Sequence, residues 1–304
     1  MKFGLLLVNT IAAATTIGCA STADTSRPPE TGTIIAELPF VTNRFVESRA
    51  RGKDRMSNRP GELRGGSCTV EIDKEESELL NYEIAPVSRT IESLREDAET
   101  GLTLYIHGYN EGFSKNCRYA AVLRERLLLR HSLLLFSWPA DNKVVTYGAD
   151  VRRMRATHES LAELLGLLAG RFGADNINIV AHSLGSRGAM DTILGSDSMR
   201  GLRFRKLVLV APDVDPQRFE AILPVLQRHV SDITVFVAGN DRALSISEIL
   251  HREPRLGNDT EWQNPVVDVV DVTTLNTGHF SRHMYHVRNP QIATLVRATL
   301  MEQP

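Results

Sequence analysis

The chain has 304 residues, of which 42% are apolar and 24% are charged, and its formal net charge is -2. This composition can bury a substantial core, and the length is normal for a single α/β enzyme. Lys and Arg are scattered, so the sequence carries no electrostatic footprint for nucleic acid or for an acidic partner. The denser arginine stretch, residues 44–64, is interleaved with acidic residues and favours a solvated loop over a binding surface.

Residues 1–19 are typical of an export signal, with a positive start, an apolar stretch too short to span a membrane as a mature helix, and Gly18-Cys19. Residues 16–19 resemble a bacterial lipobox, in which the cysteine becomes the lipidated first residue of the mature protein. Thr16 stands where Leu is commoner, so cleavage by ordinary signal peptidase at nearby alanines is the alternative. Residues 20–33 are rich in Ser, Thr and Pro and predict a flexible tether.

The lipobox resemblance implies an outer-membrane lipoprotein that faces the periplasm and is attached to the membrane through a lipid on Cys19. Ala20 lacks the retention signal that an Asp after the cysteine would give. Cys68 and Cys117 then remain, either as a disulfide or as two buried thiols. If they are joined, the long closed loop would stabilise the fold by on the order of 4 kcal/mol. The sequence contains no metal-binding motif and, after residue 19, no apolar stretch long enough for a transmembrane helix.

From residue 34 to the end, apolar strands alternate with amphipathic helices. Strands are predicted at residues 33–38, 68–72, 102–106, 133–136, 177–180, 207–210, 233–237 and 266–272, with a polar connection at 52–66. Residues 110–130 predict a loop and a helix, and residues 157–169 predict a second helix. This alternation indicates a mostly parallel sheet covered on both faces, within one domain at 34–304. In such a sheet the ligand lies beyond the carboxyl ends of the strands.

Residues 181–185, Ala-His-Ser-Leu-Gly, lie between a predicted strand and a predicted helix. A serine on such a tight turn is a nucleophile elbow, which needs small residues two before and two after the serine. Ala181 replaces the more usual first glycine and adds only a methyl group. The alternative is an ordinary strand-to-helix turn in which Ser183 caps the helix.

Acidic residues and histidines follow other strand ends in the chain order that the α/β-hydrolase triad uses. The acids are Asp213, Asp215 and Asp241, and the histidines are His279, His283 and His286.

The chain at this point resembles the bacterial alpha/beta hydrolases of the family DUF900, whose members are often labelled as esterases or lipases. The matching segments span residues 38–300: 41–44 (VTNR), 106–113 (IHGYNEGF), 136–139 (FSWP), 181–185 (AHSLG), 240–244 (NDRAL) and 283–290. The resemblance implies the α/β-hydrolase fold, with a mostly parallel central sheet and helices on both faces.

A serine hydroxyl is a poor nucleophile at neutral pH, so Ser183 needs a base and the base needs an orienting acid. The resemblance places the base a fixed distance before the proline that opens the last helix. His283 fits that spacing, and His279 is the competitor. Asp241 follows the strand that usually carries the acid, with Asp213 and Asp215 as alternates.

The oxyanion donors are expected to be the backbone N–H groups of Leu184 and Tyr109. His107 is expected to shape its loop by hydrogen bonding rather than to act as a base, and Asn110 to brace the same turn. Trp138 is expected to line the pocket or to pack under the edge of the sheet. His286 is expected to face solvent or to pack beside the last helix.

These residues predict a serine hydrolase that cleaves an ester or related acyl bond through an acyl-enzyme on Ser183, without a cofactor. An amidase or a peptidase would use the same triad. A second possibility from another class is a catalytically silent, hydrolase-like envelope lipoprotein that binds a lipid, a glycan or a protein partner. The lack of a long apolar insertion between the strands favours short or soluble small-molecule substrates. The sequence indicates no oligomeric state.

Overall fold

A computed structural model describes the chain at residues 32–47, 55–73, 76–96, 101–129, 133–143, 146–277 and 282–302. The predicted signal peptide, Cys19 and His279 lie outside these residues, as does the tether up to residue 31. From Thr33 onward the described residues form one compact unit.

The described strands form one nine-stranded sheet in the order β3-β2-β1-β5-β4-β6-β7-β8-β9. Their bounds are Ile34–Val46 (β1), Met56–Asp73 (β2), Glu76–Ala85 (β3), Leu102–Ile106 (β4), Leu133–Ser137 (β5), Ile177–His182 (β6), Phe204–Val210 (β7), Val230–Val237 (β8) and Asp268–Asp271 (β9). The β1–β2 and β2–β3 pairs are antiparallel, and every other pair is parallel. In the central register Ile106 pairs with Ala181, and His182 pairs with Val210, so these strands end at one edge.

Helices cover both faces of the sheet. The described helices are Val87–Ser93 (α1), Phe113–Arg126 (α2), Tyr147–Ala156 (α3), His158–Phe172 (α4), Leu184–Gly195 (α5), Pro216–Leu226 (α6), Arg242–His251 (α7), Tyr285–Arg288 (α8) and Pro290–Met301 (α9). One core packs α4, α5 and α6 against the sheet, and the other packs α2, α8 and α9 against the opposite face. The side chains of each parallel strand alternate between the two cores: Leu104 and Ile106 enter the first core and Tyr105 enters the second. The predicted fold class is therefore confirmed.

The amino-terminal part departs from the prediction. The predicted polar connection at 52–66 is wrong for its described part, since residues 56–66 belong to β2, and β3 was not predicted. These outer strands carry many exposed and half-buried polar side chains because antiparallel strands at a sheet edge need only one buried face. The solvated-loop interpretation also fails at Arg44, which is buried in β1.

Cys68 of β2 and Cys117 of α2 form a disulfide and are 49 positions apart in sequence. Both side chains are buried in the core that α2 shares with the sheet. The sequence left open either a disulfide or two buried thiols, and the structure has the disulfide. None of the helices in the described ranges is long and apolar enough to cross a membrane.

Candidate active site

Ser183 stands between the end of β6 and the start of α5, at φ 53° and ψ -123°. A positive φ is uncommon for a residue with a Cβ and marks a strained turn. The turn is held by its backbone, since the Ser183 N–H donates to the Val210 carbonyl at 3.0 Å and the Ser183 carbonyl accepts from Ser186 at 3.0 Å. Within the described structure the Ser183 side chain makes no capping hydrogen bond to α5. This leaves the hydroxyl available, which argues against the ordinary N-cap.

The small residues around Ser183 are needed because the chain segments approach closely. A Cβ on Gly185 would lie 2.4 Å from the His107 carbonyl oxygen, and one on Gly108 would lie 2.9 Å from Ser183 Cβ. Neither position tolerates a side chain without a backbone shift. Ala181 is fully buried and its carbonyl accepts a hydrogen bond from Ser186 Oγ at 2.9 Å, so alanine fits the first position of the elbow.

Asp241 and His283 form a hydrogen-bonded pair, with His283 Nδ1 2.7 Å from Asp241 Oδ2. Asp241 is fully buried and caps α7, because its Oδ1 accepts from the N–H groups of Ala243 and Leu244 at 3.0 and 3.1 Å. One carboxylate oxygen thus fixes the acid to a helix while the other holds the imidazole.

The same pair sets the pKa of His283. Burial by itself would lower that pKa, but the charge of Asp241 and its hydrogen bond, assisted by the charge of Asp213, raise it above the ordinary value. His283 Nε2 has no hydrogen-bond partner among the described groups. Ser183 and His283 both line one cavity of about 40 Å³. The described structure therefore brings together the predicted serine, base and acid.

The alternate acids have other partners. Asp213 also reaches the cavity, but its Oδ2 accepts from the Tyr147 hydroxyl at 2.6 Å and its Oδ1 accepts from Ser247 Oγ at 2.7 Å. Arg255 Nε lies 3.2 Å from the same Oδ1. Asp215 caps α6 by accepting from the backbone N–H of Arg218 at 2.7 Å. Neither is hydrogen-bonded to a histidine in the part of the chain that the structure covers.

Two backbone segments meet at Ser183 where oxyanion donors are expected. Leu184 is the first residue of α5, so its N–H has no acceptor within the helix. The loop after β4 packs against Ser183 through Gly108, and its next residue, Tyr109, lines the cavity. Asn110, the next residue of the loop, lies at φ 57°, in the left-handed region that asparagine adopts more readily than most residues.

Arg44 holds this loop from behind, and sequence reasoning did not identify its role. Its guanidinium donates to the Glu111 and Ala140 carbonyls, both at 3.0 Å, to Ser137 Oγ at 3.0 Å, and to the Ser57 carbonyl at 3.3 Å. The only signal in the sequence was its place in the matching segment 41–44. Such a buried, multiply bonded guanidinium fixes the loop that carries Tyr109.

His107 has the structural role that was predicted. Its Nδ1 lies 2.7 Å from the Gly108 carbonyl oxygen, and its ring stacks on Trp138 with the centroids 5.0 Å apart. Burial lowers the pKa of His107 to about 3, which makes the ring a weak base. Trp138 Nε1 donates to the His107 carbonyl at 2.8 Å, so Trp138 packs in the core beneath the loop.

A second carboxyl–imidazole pair lies beside the first, and sequence reasoning missed it. Glu111 Oε1 is 3.5 Å from His182 Nδ1, and both side chains are buried. His182 Nε2 lies 3.2 Å from the His283 carbonyl oxygen, which can only accept, so this nitrogen carries the hydrogen. Burial and the neighbouring His283 keep the pKa of His182 well below its ordinary value, so the ring is neutral and Nδ1 holds a lone pair.

A lone pair facing a carboxylate would be repulsive, whereas a protonated carboxyl could donate to it. Burial raises the pKa of Glu111, and a raised pKa favours the protonated carboxyl. Neither carboxyl oxygen of Glu111 has a hydrogen-bond partner in the described ranges. The raised pKa of Glu111 and the lowered pKa of His182 both favour the uncharged form of the pair.

His286 does not face solvent, so that alternative is wrong. It is fully buried, its Nε2 lies 3.0 Å from the Tyr105 hydroxyl, and its ring is 4.6 Å from that of His182. The short helix α8 turns it inward onto the sheet, where Tyr105 supplies a polar partner.

Comparison with known proteins identifies a family that this chain matches. A model of the family described as "Alpha/beta hydrolase of unknown function (DUF900)" matches residues 84–301. None of the curated proteins matches.

Solved structures include similar folds. An esterase domain of a Rhodothermus marinus protein is 13% identical, with 88% of this chain and 96% of that chain covered and a TM-score of 0.43. S-formylglutathione hydrolase from Staphylococcus aureus is 11% identical, with 90% and 99% covered and a TM-score of 0.41. Since the family model spans most of the chain, the family follows from it: the chain belongs to the alpha/beta hydrolases of the family DUF900.

Proposed function

We propose that this protein is a serine hydrolase that cleaves a carboxylic ester or related acyl bond through an acyl-enzyme on Ser183. The observation that carries the proposal is the pair formed by Asp241 Oδ2 and His283 Nδ1 at 2.7 Å. It leaves Nε2 of the same ring without a partner, among the described residues, beside the cavity that Ser183 lines.

In the first half of the reaction, Ser183 Oγ attacks the carbonyl carbon while His283 Nε2 takes the hydroxyl proton. Asp241 accepts the hydrogen bond of Nδ1–H and stabilises the imidazolium. The tetrahedral intermediate carries its charge on the former carbonyl oxygen, and the N–H groups of Leu184 and Tyr109 donate to that oxygen. The intermediate collapses when His283 returns the proton to the leaving alcohol.

In the second half, water takes the place of the alcohol. His283 removes a proton from the water as it attacks the acyl carbon, and the proton then returns to Ser183 Oγ as the acid leaves. An amide substrate would follow the same path with an amine as the leaving group.

Labelling of the full chain with a fluorophosphonate probe tests the proposal, because this reagent modifies only an activated serine. We expect Ser183→Ala and His283→Ala to abolish labelling and His279→Ala to retain it. A folded parent protein that takes no label would contradict the proposal and favour a silent binding protein. Loss of label in His279→Ala alone would transfer the role of base to His279.

We also propose that the chain is exported and anchored to the outer membrane through a lipid on Cys19. The composition of residues 1–19 supports this, and so does the Cys68–Cys117 disulfide, since disulfides persist in oxidising compartments. Cys19→Ala should move the protein from the membrane fraction to the soluble periplasm. Unchanged fractionation would contradict the anchor.

A further inference from the structure

Helix α7 carries an exposed apolar surface at the mouth of the candidate active site. Ile246 and Leu250 line the same cavity as Ser183 and His283, yet they are 54% and 65% exposed. Ile249 is 77% exposed. Residues three and four apart share one face of a helix, so the three side chains form a continuous strip, here called the α7 strip.

The other side of α7 is fixed to the protein. Asp241 caps its first turn, Leu244 is buried in the core, and Ser247 Oγ donates to Asp213 at 2.7 Å. The helix therefore holds the α7 strip in water beside the cavity rather than turning it inward. A contiguous exposed apolar surface of this kind marks a ligand site more often than a plain surface does.

The cavity itself is small. Its volume is about 40 Å³, whereas pockets that enclose a drug-sized ligand measure roughly 300–1,000 Å³. A long acyl chain attached to a reacting carbonyl therefore cannot lie wholly inside it. Whatever follows the carbonyl must leave the cavity, and Ile246 and Leu250 form one of its walls at the surface.

Three of the other polar side chains of the cavity, Asp213, Tyr147 and Ser247, are already hydrogen-bonded to one another. Asp213 is bonded to Tyr147 and Ser247, so neither its carboxylate nor the Ser247 hydroxyl is free to bind a charged group of the substrate. Ala243 and Leu244 add further apolar wall. This lining suits a hydrocarbon chain and offers little to a charged or sugar-like substituent.

From these features we propose that the α7 strip binds the acyl chain of the substrate, so that the enzyme acts on esters of medium-length or longer aliphatic acids. This inference rests on the proposed serine hydrolase function. It also reverses the expectation of short or soluble substrates. That expectation rested on the lack of a long apolar insertion between the strands, whereas the exposed apolar surface is supplied by α7.

A series of p-nitrophenyl esters from acetate to octanoate, kept below micelle-forming concentrations, tests the inference on the full chain. Full burial of a methylene group contributes about 0.8 kcal/mol, or about fourfold in kcat/KM. On a half-open strip we expect about twofold per methylene, hence a rise of roughly sixteenfold over the four methylene groups from butyrate to octanoate. The double variant Ile246→Ser/Leu250→Ser should lose this rise with acyl length.

The matched control is Leu167→Ser/Leu295→Ser, which replaces two exposed leucines on α4 and α9 outside the cavity. It should keep the parent's dependence on acyl length. A parent enzyme that prefers acetate, or an α7 double variant that retains the rise, would overturn the inference. So would a length dependence that appears only in acetates of longer alcohols, because the chain would then belong to the leaving group.

Binding without turnover separates this inference from the proposed function. The Ser183→Ala variant cannot form an acyl-enzyme, yet it should bind dansyl-labelled undecanoic acid, with fluorescence that is lost on adding Ile246→Ser/Leu250→Ser. Binding in a protein that fails to react with fluorophosphonate would support the strip and refute the hydrolase. Absence of binding would overturn the strip even if the hydrolase proposal holds.

Discussion

The Asp241–His283 and Glu111–His182 pairs are built from the same types of side chain but differ in spacing and surroundings. Asp241 lies 2.7 Å from its imidazole, and the backbone N–H groups of α7 stabilise its charge. Glu111 lies 3.5 Å from its imidazole, farther than a normal hydrogen bond, and its carboxyl group is buried. His283 reaches the cavity, whereas neither His182 nor Glu111 is among the residues that line it.

The difference shows that a carboxyl group beside a histidine does not by itself make the charged pair that the proposed mechanism needs. Backbone N–H groups and the imidazole hold the Asp241 carboxylate in place, so it can support a positive charge on His283. Burial raises the pKa of Glu111 and lowers that of His182, which favours uncharged groups in this pair, and the Nε2–H of His182 donates to the His283 carbonyl. The Asp241–His283 pair can thus carry a positive charge on its imidazole during a reaction. The Glu111–His182 pair instead positions the backbone of His283.

The largest expected effect comes from Asp241→Asn, which removes the carboxylate charge from the Asp241–His283 pair and so makes it resemble the Glu111–His182 pair. Loss of the corresponding acid in a serine hydrolase triad costs about 10⁴-fold in kcat, so we expect a decrease of that order in ester hydrolysis. The matched control is Asp215→Asn, since asparagine also caps helices and α6 should keep its cap. Equal activity of the two variants would remove Asp241 from the proposed triad.

A smaller effect is expected for Asp213→Asn, which keeps the side-chain shape of the alternate acid. The base must be neutral to accept the serine proton, so kcat/KM should rise with pH through the pKa of His283, above the ordinary histidine value. The charge of Asp213 contributes to raising that pKa, so removing it should move the rise to lower pH. Measured pH profiles of parent and variant test this, and a shift to higher pH would contradict it.

Sequence reasoning reached the parallel strands and the elbow because both have strong local patterns. Residues 102–106 and 177–180 are short apolar runs, and 181–185 combine small residues with a serine. It failed at residues 56–66 of β2 and at β3, where exposed polar side chains hide the strand pattern, although the strand predicted at 68–72 is part of β2. Long-range polar contacts were also not predicted, because no pattern near Arg44 in the sequence indicates that its acceptors are the carbonyls of Glu111 and Ala140.

The smallest effect on activity is expected for Glu111→Gln, which replaces the proposed protonated carboxyl by a neutral group of the same shape. Its amide can donate to His182 Nδ1, so His283 keeps its support and kcat/KM should change by less than about tenfold. The free energy of unfolding should respond instead. A carboxyl whose pKa is raised by folding stabilises the fold below its unfolded pKa and loses that contribution as pH rises through the folded pKa.

Glutamine does not titrate, so the variant should gain stability relative to the parent as pH rises, by at most about 1.4 kcal/mol per pH unit while Glu111 stays protonated in the fold. Urea unfolding of both proteins at pH 5 and pH 8 measures the difference. A variant that loses stability relative to the parent between pH 5 and pH 8 would mean that Glu111 is a charged partner of His182. The two pairs would then be electrostatically alike, and the distinction between them would rest on access to the cavity alone.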